Sequence, residues 1–145
     1  MIRVVLDTNV IVSALLQPLG PPAAVFLLVA GGVVQLCISG DVYAEYEEVI
    51  RRPRLARDEE VIAATLQTVR EKGSWVRPTE TIKACSDSDD DIFLECALAA
   101  SADYLVTGNL KHFPSSWANT QVVTPRRFLD LQSADAGPTH EPPPS

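Results

Sequence analysis

Short apolar runs alternate with helical segments along this chain, and that alternation limits its fold more than any other feature. The strand-like runs are IRVVL (2–6), VVQLCIS (33–39), DYLVTGN (103–109) and QVV (121–123). Helices are expected at about 9–16, 23–30, 41–51 and 58–73, after the aspartates of 87–91, and from Thr124 onward. Strands that alternate with helices predict an α/β fold of three layers, with a central parallel sheet of four to five strands flanked by helices.

One domain is expected from 145 residues with 46% apolar content, which can bury a core without disulfides. We expect it to cover residues 1–131. Residues 132–145 form a predicted disordered tail, because the stretch from Ser133 contains four prolines and few apolar residues. The segment WVRPTETI (75–82) is ambiguous and fits a short extended piece.

The cysteines and the apolar segments favour a cytoplasmic protein without a membrane partner. Cys37, Cys85 and Cys96 are odd in number and contain no CxxC pair, which fits neither a disulfide framework nor a zinc site. The first residues show no signal-peptide pattern. The most apolar stretch, residues 22–30, is shorter than the roughly 20 residues a bilayer requires and is interpreted as a buried helix.

Acidic residues occur at three distant places that the predicted sheet would bring to one edge. Asp7 follows the first strand, where an aspartate serves either as a helix cap or as a rigidly held ligand. Glu45 lies in the third helix and is either solvated or part of a site. Four aspartates fall within 87–91, a block that fits a helix N-terminus or a metal-binding locus.

Ligands bind beyond the carboxyl ends of parallel strands, and carboxylate oxygens suit Mg²⁺ or Mn²⁺. Such ions support phosphodiester hydrolysis by activating water and neutralising charge on the phosphate. The net charge of −7 argues against a nucleic-acid partner in general, although an acidic site and a basic rim can coexist. Phosphodiester hydrolysis is therefore the favoured chemistry.

Other catalytic patterns are missing from the sequence. His112 lies in a predicted loop and His140 in the predicted tail, so a Ser-His-Asp triad is not expected. The pair Gly31-Gly32 precedes a strand and lacks the GK[ST] ending of a phosphate-binding loop. Ile92 stands where an EF-hand loop requires glycine.

The basic residues cluster in one segment, which contains Arg51, Arg52, Arg54 and Arg57. Lys111 and the pair at 126–127 are further candidates for contacts with a substrate. Each cluster either contacts the substrate or only solvates a loop and pairs with nearby acids.

Four segments of the chain resemble the PIN-domain ribonucleases, and in particular the VapC-like group of toxins from toxin–antitoxin pairs. These segments are LDTNVIVSAL (6–15), ISGDVYAEYEEVIRRPRL (38–55), DSDDDIFLECALAASADYLVTGNLKHF (87–113) and VVTPRRFL (122–129). The resemblance implies a three-layer PIN-like fold and a Mg²⁺- or Mn²⁺-dependent endoribonuclease. It also implies RNA as the substrate, an antitoxin protein as a partner, and a homodimer.

The same resemblance implies which residues form the site. The three family acids fall on Asp7, Glu45 and Asp90. Asp91 lies at a position often held by a polar residue and is the expected further metal ligand. The polar positions that border the site are Thr8, Asn9, Thr107 and Asn109.

The sequence departs from the family pattern at Asn109, where many relatives have a fourth aspartate after the Thr-Gly pair. An amide brings no negative charge, so a second metal would be held less firmly, unless Asp91 compensates. A second hypothesis is therefore a binding module that keeps the fold but has weakened catalysis. A phosphatase with Asp7 as nucleophile ranks last, because Asn9 replaces the second aspartate that it requires.

Overall fold

The structure is a computed structural model that describes residues 1–53 and 58–136. Its strands are β1 (Arg3–Leu6), β2 (Gln35–Ile38), β3 (Ser74–Trp75), β4 (Tyr104–Val106), β5 (Ser116–Trp117) and β6 (Thr120–Val123). Its α-helices are α1 (Thr8–Leu16), α2 (Pro21–Ala30), α3 (Gly40–Ile50), α4 (Glu59–Lys72), α5 (Asp91–Ala100) and α6 (Pro125–Ala136). Short 3₁₀ turns occupy Ser88–Asp90 and Leu110–His112.

The six strands form one sheet in the order β3-β2-β1-β4-β6-β5, and all neighbours are parallel except β5 and β6. The α/β architecture is confirmed, and its parallel part, β3-β2-β1-β4-β6, has five strands, within the predicted four to five. The antiparallel edge strand β5 was not predicted; it and β3, which overlaps the start of the segment expected to be a short extended piece, are two residues each. A segment that short shows no alternation from which a strand can be recognised.

The strand order places β1 in the interior of the sheet, between β2 and β4. Leu6 aligns with Val106 in β4, and the next residues, Asp7 and Thr107, therefore leave the sheet side by side. The backbone N–H of Asp7 donates to the Val106 carbonyl at 2.9 Å, which continues the ladder one residue past β1. The carboxyl edge of the sheet thus collects residues that are distant in sequence.

Capping side chains fix where several helices begin. Ser39 Oγ accepts from the Val42 N–H at 3.2 Å at the start of α3, one residue before the cap expected at Gly40-Asp41. Asp58 caps α4 by accepting from the Glu60 N–H at 2.9 Å. Thr124 Oγ1 accepts from the Arg127 N–H at 3.1 Å, as predicted for α6.

The helix α6 continues to Ala136, five residues into the tail that was predicted to begin after residue 131. The stretch from Gln132 to Ala136 is polar but contains no helix breaker, and the first one is Gly137. The rest of the predicted tail, residues 137–145, lies outside the described residues.

The core lies between the sheet and the helices that cover it. Val4, Val5 and Leu6 of β1 are fully buried, as expected for an interior strand. Phe93 and Cys96 of α5 are buried against this part of the sheet. This packing sets the start of α5 close to the end of β1.

In the described part of the chain, no single helix has the length and apolar character needed to cross a membrane. The successive helices α1 and α2 would reach that length and composition only when taken together, and they are bent by 104°.

Candidate active site

Asp7 occupies the N-cap position of α1, but its side chain makes no capping hydrogen bond. One carboxylate oxygen, Oδ2, accepts a hydrogen bond from Thr107 Oγ1 at 2.7 Å. Thr107 Oγ1 in turn accepts from the backbone N–H of Asn109 at 3.0 Å. The loop after β4 therefore orients the carboxylate at the end of β1, and of the two roles left open for Asp7 the helix cap is not the one its side chain adopts.

The Asp7 carboxylate is buried, with 4% of the residue exposed. Burial raises the pKa of Asp7, while the Thr107 hydrogen bond opposes that rise. The nearby N–H groups of Asn9 and Thr8 also lower the pKa, although neither makes a cap of normal geometry. No Lys or Arg within the described ranges forms an ion pair with Asp7.

Asp90 ends the 3₁₀ turn before α5, and 19% of its side chain is exposed. Burial, followed by the charge of Asp7, raises the pKa of Asp90 to about 6, and Glu45 contributes to the same rise. His112 opposes it, since its Nδ1 lies 3.3 Å from Asp90 Oδ2. Asp7 and Glu45 both add to the raised pKa of Asp90, which indicates that the charges of the three acids interact electrostatically.

Glu45 lies on α3 and is partly buried. It borders an open groove of about 530 Å³, which α3 and the start of α5 line with Asp89 and Ile92 among other residues. Its neighbours Glu47 and Glu48 are exposed, as expected for solvated charges. Glu48 borders the same groove, but Glu45 is the glutamate of this run that is partly buried and whose charge contributes to the raised pKa of Asp90.

The chemistry of this group fits a divalent cation better than its present geometry does. Three carboxylates from β1, α3 and the turn before α5 supply hard oxygen ligands. The hydroxyl of Thr8 is also buried, at 3% exposure, and has no hydrogen-bond partner among the described residues. In the ranges 1–53 and 58–136, however, no three His, Cys, Asp or Glu side chains are grouped closely enough to hold a metal ion. The carboxylates would have to draw together to bind one.

Asp91 has a different set of contacts from the one expected for a metal ligand. Its Oδ1 accepts hydrogen bonds from the backbone N–H groups of Cys85 and Ala84, at 2.8 and 3.1 Å. Burial raises the pKa of Asp91, but these hydrogen bonds outweigh burial and hold the pKa below its ordinary value. Asp91 therefore fastens the preceding loop to α5, and that contact competes with the predicted role as a ligand.

The other polar residues that were expected to border the site differ in their surroundings. Thr107 is fully buried and touches Asp7, whereas Asn9 is exposed. Asn109 is partly buried and reaches Thr107 through its backbone N–H.

Two of the arginines predicted to contact RNA are engaged in surface ion pairs. Arg51 Nη1 lies 2.5 and 2.7 Å from the Glu59 oxygens, and Arg52 Nη2 lies 2.8 Å from Glu48 Oε2. Exposed pairs of this kind contribute little to stability, so either arginine can exchange its carboxylate partner for another anion. Lys111 is exposed in the turn after Asn109. Arg54 and Arg57 lie outside the described residues.

Two residues near the site were not identified from the sequence. His112 contacts Asp90, and the Tyr46 hydroxyl donates to the Leu6 carbonyl at 2.5 Å, just before Asp7. The Tyr46 contact had a weak signal in the sequence, since Tyr46 falls on the predicted buried face of the third helix. The His112 contact had none, because a single histidine in a loop does not indicate which acid it contacts.

Comparison with known proteins adds evidence that is independent of this geometry. The sequence matches the PIN domain family over residues 3–111, a span that includes all three acids. It is also similar to the uncharacterized protein MJ1680 of Methanocaldococcus jannaschii, with 26% identity over 141 residues. That alignment covers 89% of this chain and 90% of the other protein.

Proposed function

Because this chain belongs to the PIN domain family, we propose that it is a Mg²⁺- or Mn²⁺-dependent endoribonuclease. PIN domains are typically metal-dependent nucleases. The proposed metal ligands are Asp7, Glu45 and Asp90, and the proposed reaction is hydrolysis of RNA phosphodiester bonds. An RNA substrate is available in the cytoplasm, where we propose that the protein acts.

One observation carries this proposal, namely the buried carboxylate of Asp7, which pairs with no Lys or Arg of the described residues and whose charge acts on a second acid, Asp90. Asp7 is held by a hydroxyl, and its charge contributes to the raised pKa of Asp90. Grouping buried carboxylates destabilises a protein unless something cationic neutralises them. A divalent ion is the cation that an all-oxygen ligand set selects.

When bound, the metal ion would supply a water of lowered pKa and neutralise charge that develops on the phosphate. The protein's own residues prepare for this. Thr107 orients Asp7 through its hydroxyl, and Asn109 fixes Thr107 through its N–H. His112 holds the carboxylate of Asp90 on the side of the loop after β4.

The experiment is cleavage of single-stranded RNA with Mn²⁺ by the wild type and by Asp7→Asn, Asp90→Asn and Glu45→Gln. Each substitution keeps the shape of the side chain and removes its charge, so each is expected to abolish detectable cleavage. Glu47→Gln is the matched control, because it makes the same change at an exposed site on α3. The increase of melting temperature caused by Mn²⁺ should also disappear in the first two variants. Wild-type activity in both aspartate variants would refute the proposed site.

The competing function is a binding module with weakened catalysis, which the amide at Asn109 favours. Asn109→Asp keeps the backbone N–H that Thr107 accepts and adds one charge beside the site. If the site is merely weakened, this variant should cleave RNA faster in Mn²⁺ and bind the ion more tightly. Asn119→Asp, an exposed position in the turn between β5 and β6, is the control. Equal cleavage by Asn109→Asp and the wild type contradicts the weakened-site hypothesis.

We propose further that the protein is a toxin neutralised by an antitoxin, and that it forms a homodimer. The resemblance to VapC-like sequences supports both partners. Leu16, Leu19 and Leu27 also expose apolar side chains along α1, the turn after it and α2, which supports a protein contact there. Light scattering of the purified chain tests the dimer. A short gene for a DNA-binding protein directly upstream, whose product abolishes cleavage, would support the antitoxin.

A further inference from the structure

Exposed aromatic and arginine side chains lie together on the surface beside β3, the lateral edge strand of the sheet. Trp75 of edge strand β3 is 50% exposed, and it is the one aromatic residue among the exposed large apolar side chains of the described residues. The Tyr43 ring lies 5.5 Å from the Trp75 ring and is tilted by 50°. Arg70 of α4 lies over Tyr43, with its Cζ 6.0 Å from the ring centroid. We call Tyr43, Arg70, Trp75 and Arg77 the β3 surface.

The arginines of the β3 surface are free to take an anionic partner. Arg70 donates to the Tyr43 hydroxyl at 2.6 Å, a neutral acceptor, whereas Arg51 and Arg52 pair with carboxylates. Neither Arg70 nor Arg77 forms an ion pair within residues 1–53 and 58–136. Arg77 and Trp75 are both exposed while Val76 between them is not, so the two exposed side chains lie on the same side of the extended segment.

The β3 surface and the acids both lie near the carboxyl ends of the strands. Trp75 aligns with Ile38 in β2, and Val4 aligns with Leu36, so Trp75, Ile38 and Leu6 stand at one level. Asp7 follows Leu6 directly. Two strand spacings separate β3 from β1, which is about 10 Å. A short single-stranded segment can span that distance over the first turn of α3.

We propose that the β3 surface binds single-stranded RNA, with a base stacked on Trp75 and phosphates held by Arg70 and Arg77. This inference rests on the proposed action on RNA and adds where the substrate lies. Stacking on an exposed ring beside unpaired arginines is how proteins bind single strands without reading their sequence. Charge complementarity favours RNA over an apolar protein partner, since a chain of net charge −7 keeps unpaired arginines here.

The test measures binding in EDTA, where no cleavage is needed, with a fluorescein-labelled single-stranded oligouridine and the full chain. Trp75→Leu keeps an apolar side chain but removes the ring, and it should weaken binding by about five- to a hundredfold. Arg70→Gln and Arg77→Gln should each reduce the salt dependence, by about 0.7 in the slope of log K against log salt. The controls are Trp117→Leu, on the opposite edge strand, and Lys83→Gln, an exposed position in the segment before α5.

Fluorescence gives a second readout because the chain has two tryptophans. In Trp117→Leu the remaining Trp75 should be quenched by the single strand, and in Trp75→Leu the remaining Trp117 should not. A duplex of the same sequence should quench less, since its bases are already stacked. Equal affinity of wild type and Trp75→Leu, or no quenching of Trp75, overturns the proposal.

The proposal also fails if the wild type binds no RNA while Trp75→Leu alone converts a dimer into a monomer, because the β3 surface is then a protein interface. Cleavage in Mn²⁺ by Trp75→Leu separates this inference from the proposed function. Cleavage that persists when binding ignores Trp75 leaves the nuclease proposal standing and refutes the β3 surface. Binding that depends on Trp75 without any cleavage supports the β3 surface and refutes the nuclease proposal.

Discussion

Replacing Asp90 with asparagine is expected to stabilise the metal-free protein at neutral pH. Burial and the charges of Asp7, Asp87 and Glu45 raise the pKa of Asp90 from an ordinary 3.8 to about 6. An ionised carboxylate is therefore less favourable in the folded chain than in the unfolded chain. Asparagine has nearly the same shape and removes the charge.

The expected gain is about 1–2 kcal/mol in the free energy of unfolding. A shift of about two pKa units corresponds to about 3 kcal/mol between the two protonation states. Because 19% of the Asp90 side chain is exposed, solvent screening reduces this figure. The contact with His112 opposes the shift and is already included in the raised pKa.

The sign of the pH dependence follows from the raised pKa. The folded protein holds the Asp90 proton more tightly than the unfolded chain, so this contribution to stability is complete below about pH 3.8. It is lost as the pH rises through about 6. Asparagine does not titrate, so the advantage of Asp90→Asn should grow from near zero in acid to a plateau above neutrality.

Urea unfolding in EDTA between about pH 4.5 and 8 measures this difference. The control is Asp89→Asn, a neighbouring exposed carboxylate that should change stability little at any pH. Excess Mn²⁺ should reverse the order, because only the wild type gains from binding the ion. A variant that is no more stable than wild type at pH 8, or an advantage that does not change with pH, would refute the reasoning.

Three further substitutions test individual contacts. Thr107→Val removes the hydroxyl that lowers the pKa of Asp7, so the acid limb of the cleavage profile should move to higher pH, with Thr107→Ser as the control. Tyr46→Phe leaves the buried Leu6 carbonyl without its donor and should cost about 1–3 kcal/mol in urea unfolding. Asp91→Asn weakens the two bonds to the loop and should lower stability while the Mn²⁺-induced rise in melting temperature remains. Loss of that rise would instead support Asp91 as a metal ligand.

The sequence predicted the long elements and missed those that are too short to form a pattern. The strands β1, β2 and β4 are apolar runs that end in polar residues, and buried parallel strands require that composition. In β3 and β5 two residues pair with a neighbour only because that neighbour is already in place. The end of α6 was placed too early because polarity was taken as disorder, whereas helix propensity continues to Ala136.

Within the aspartate block, the sequence could not distinguish one residue from the next. Successive helical residues point about 100° apart, so Asp90 approaches Asp7 and His112 while Asp91 turns to the loop at Cys85. That difference depends on how α5 is rotated against the sheet. Packing of Phe93 and Cys96 sets the rotation, and no local pattern states its exact angle.

The hydrogen bond from Thr107 to Asp7 joins residues 100 positions apart. During synthesis Asp7 emerges from the ribosome long before β4 has been made. Until then one edge of β1 is unpaired, and the Asp7 carboxylate has no hydroxyl partner. The proposed nuclease therefore has no assembled site while most of its own messenger is being read. The order of the strands in the sheet sets the moment in synthesis at which the proposed site is first assembled.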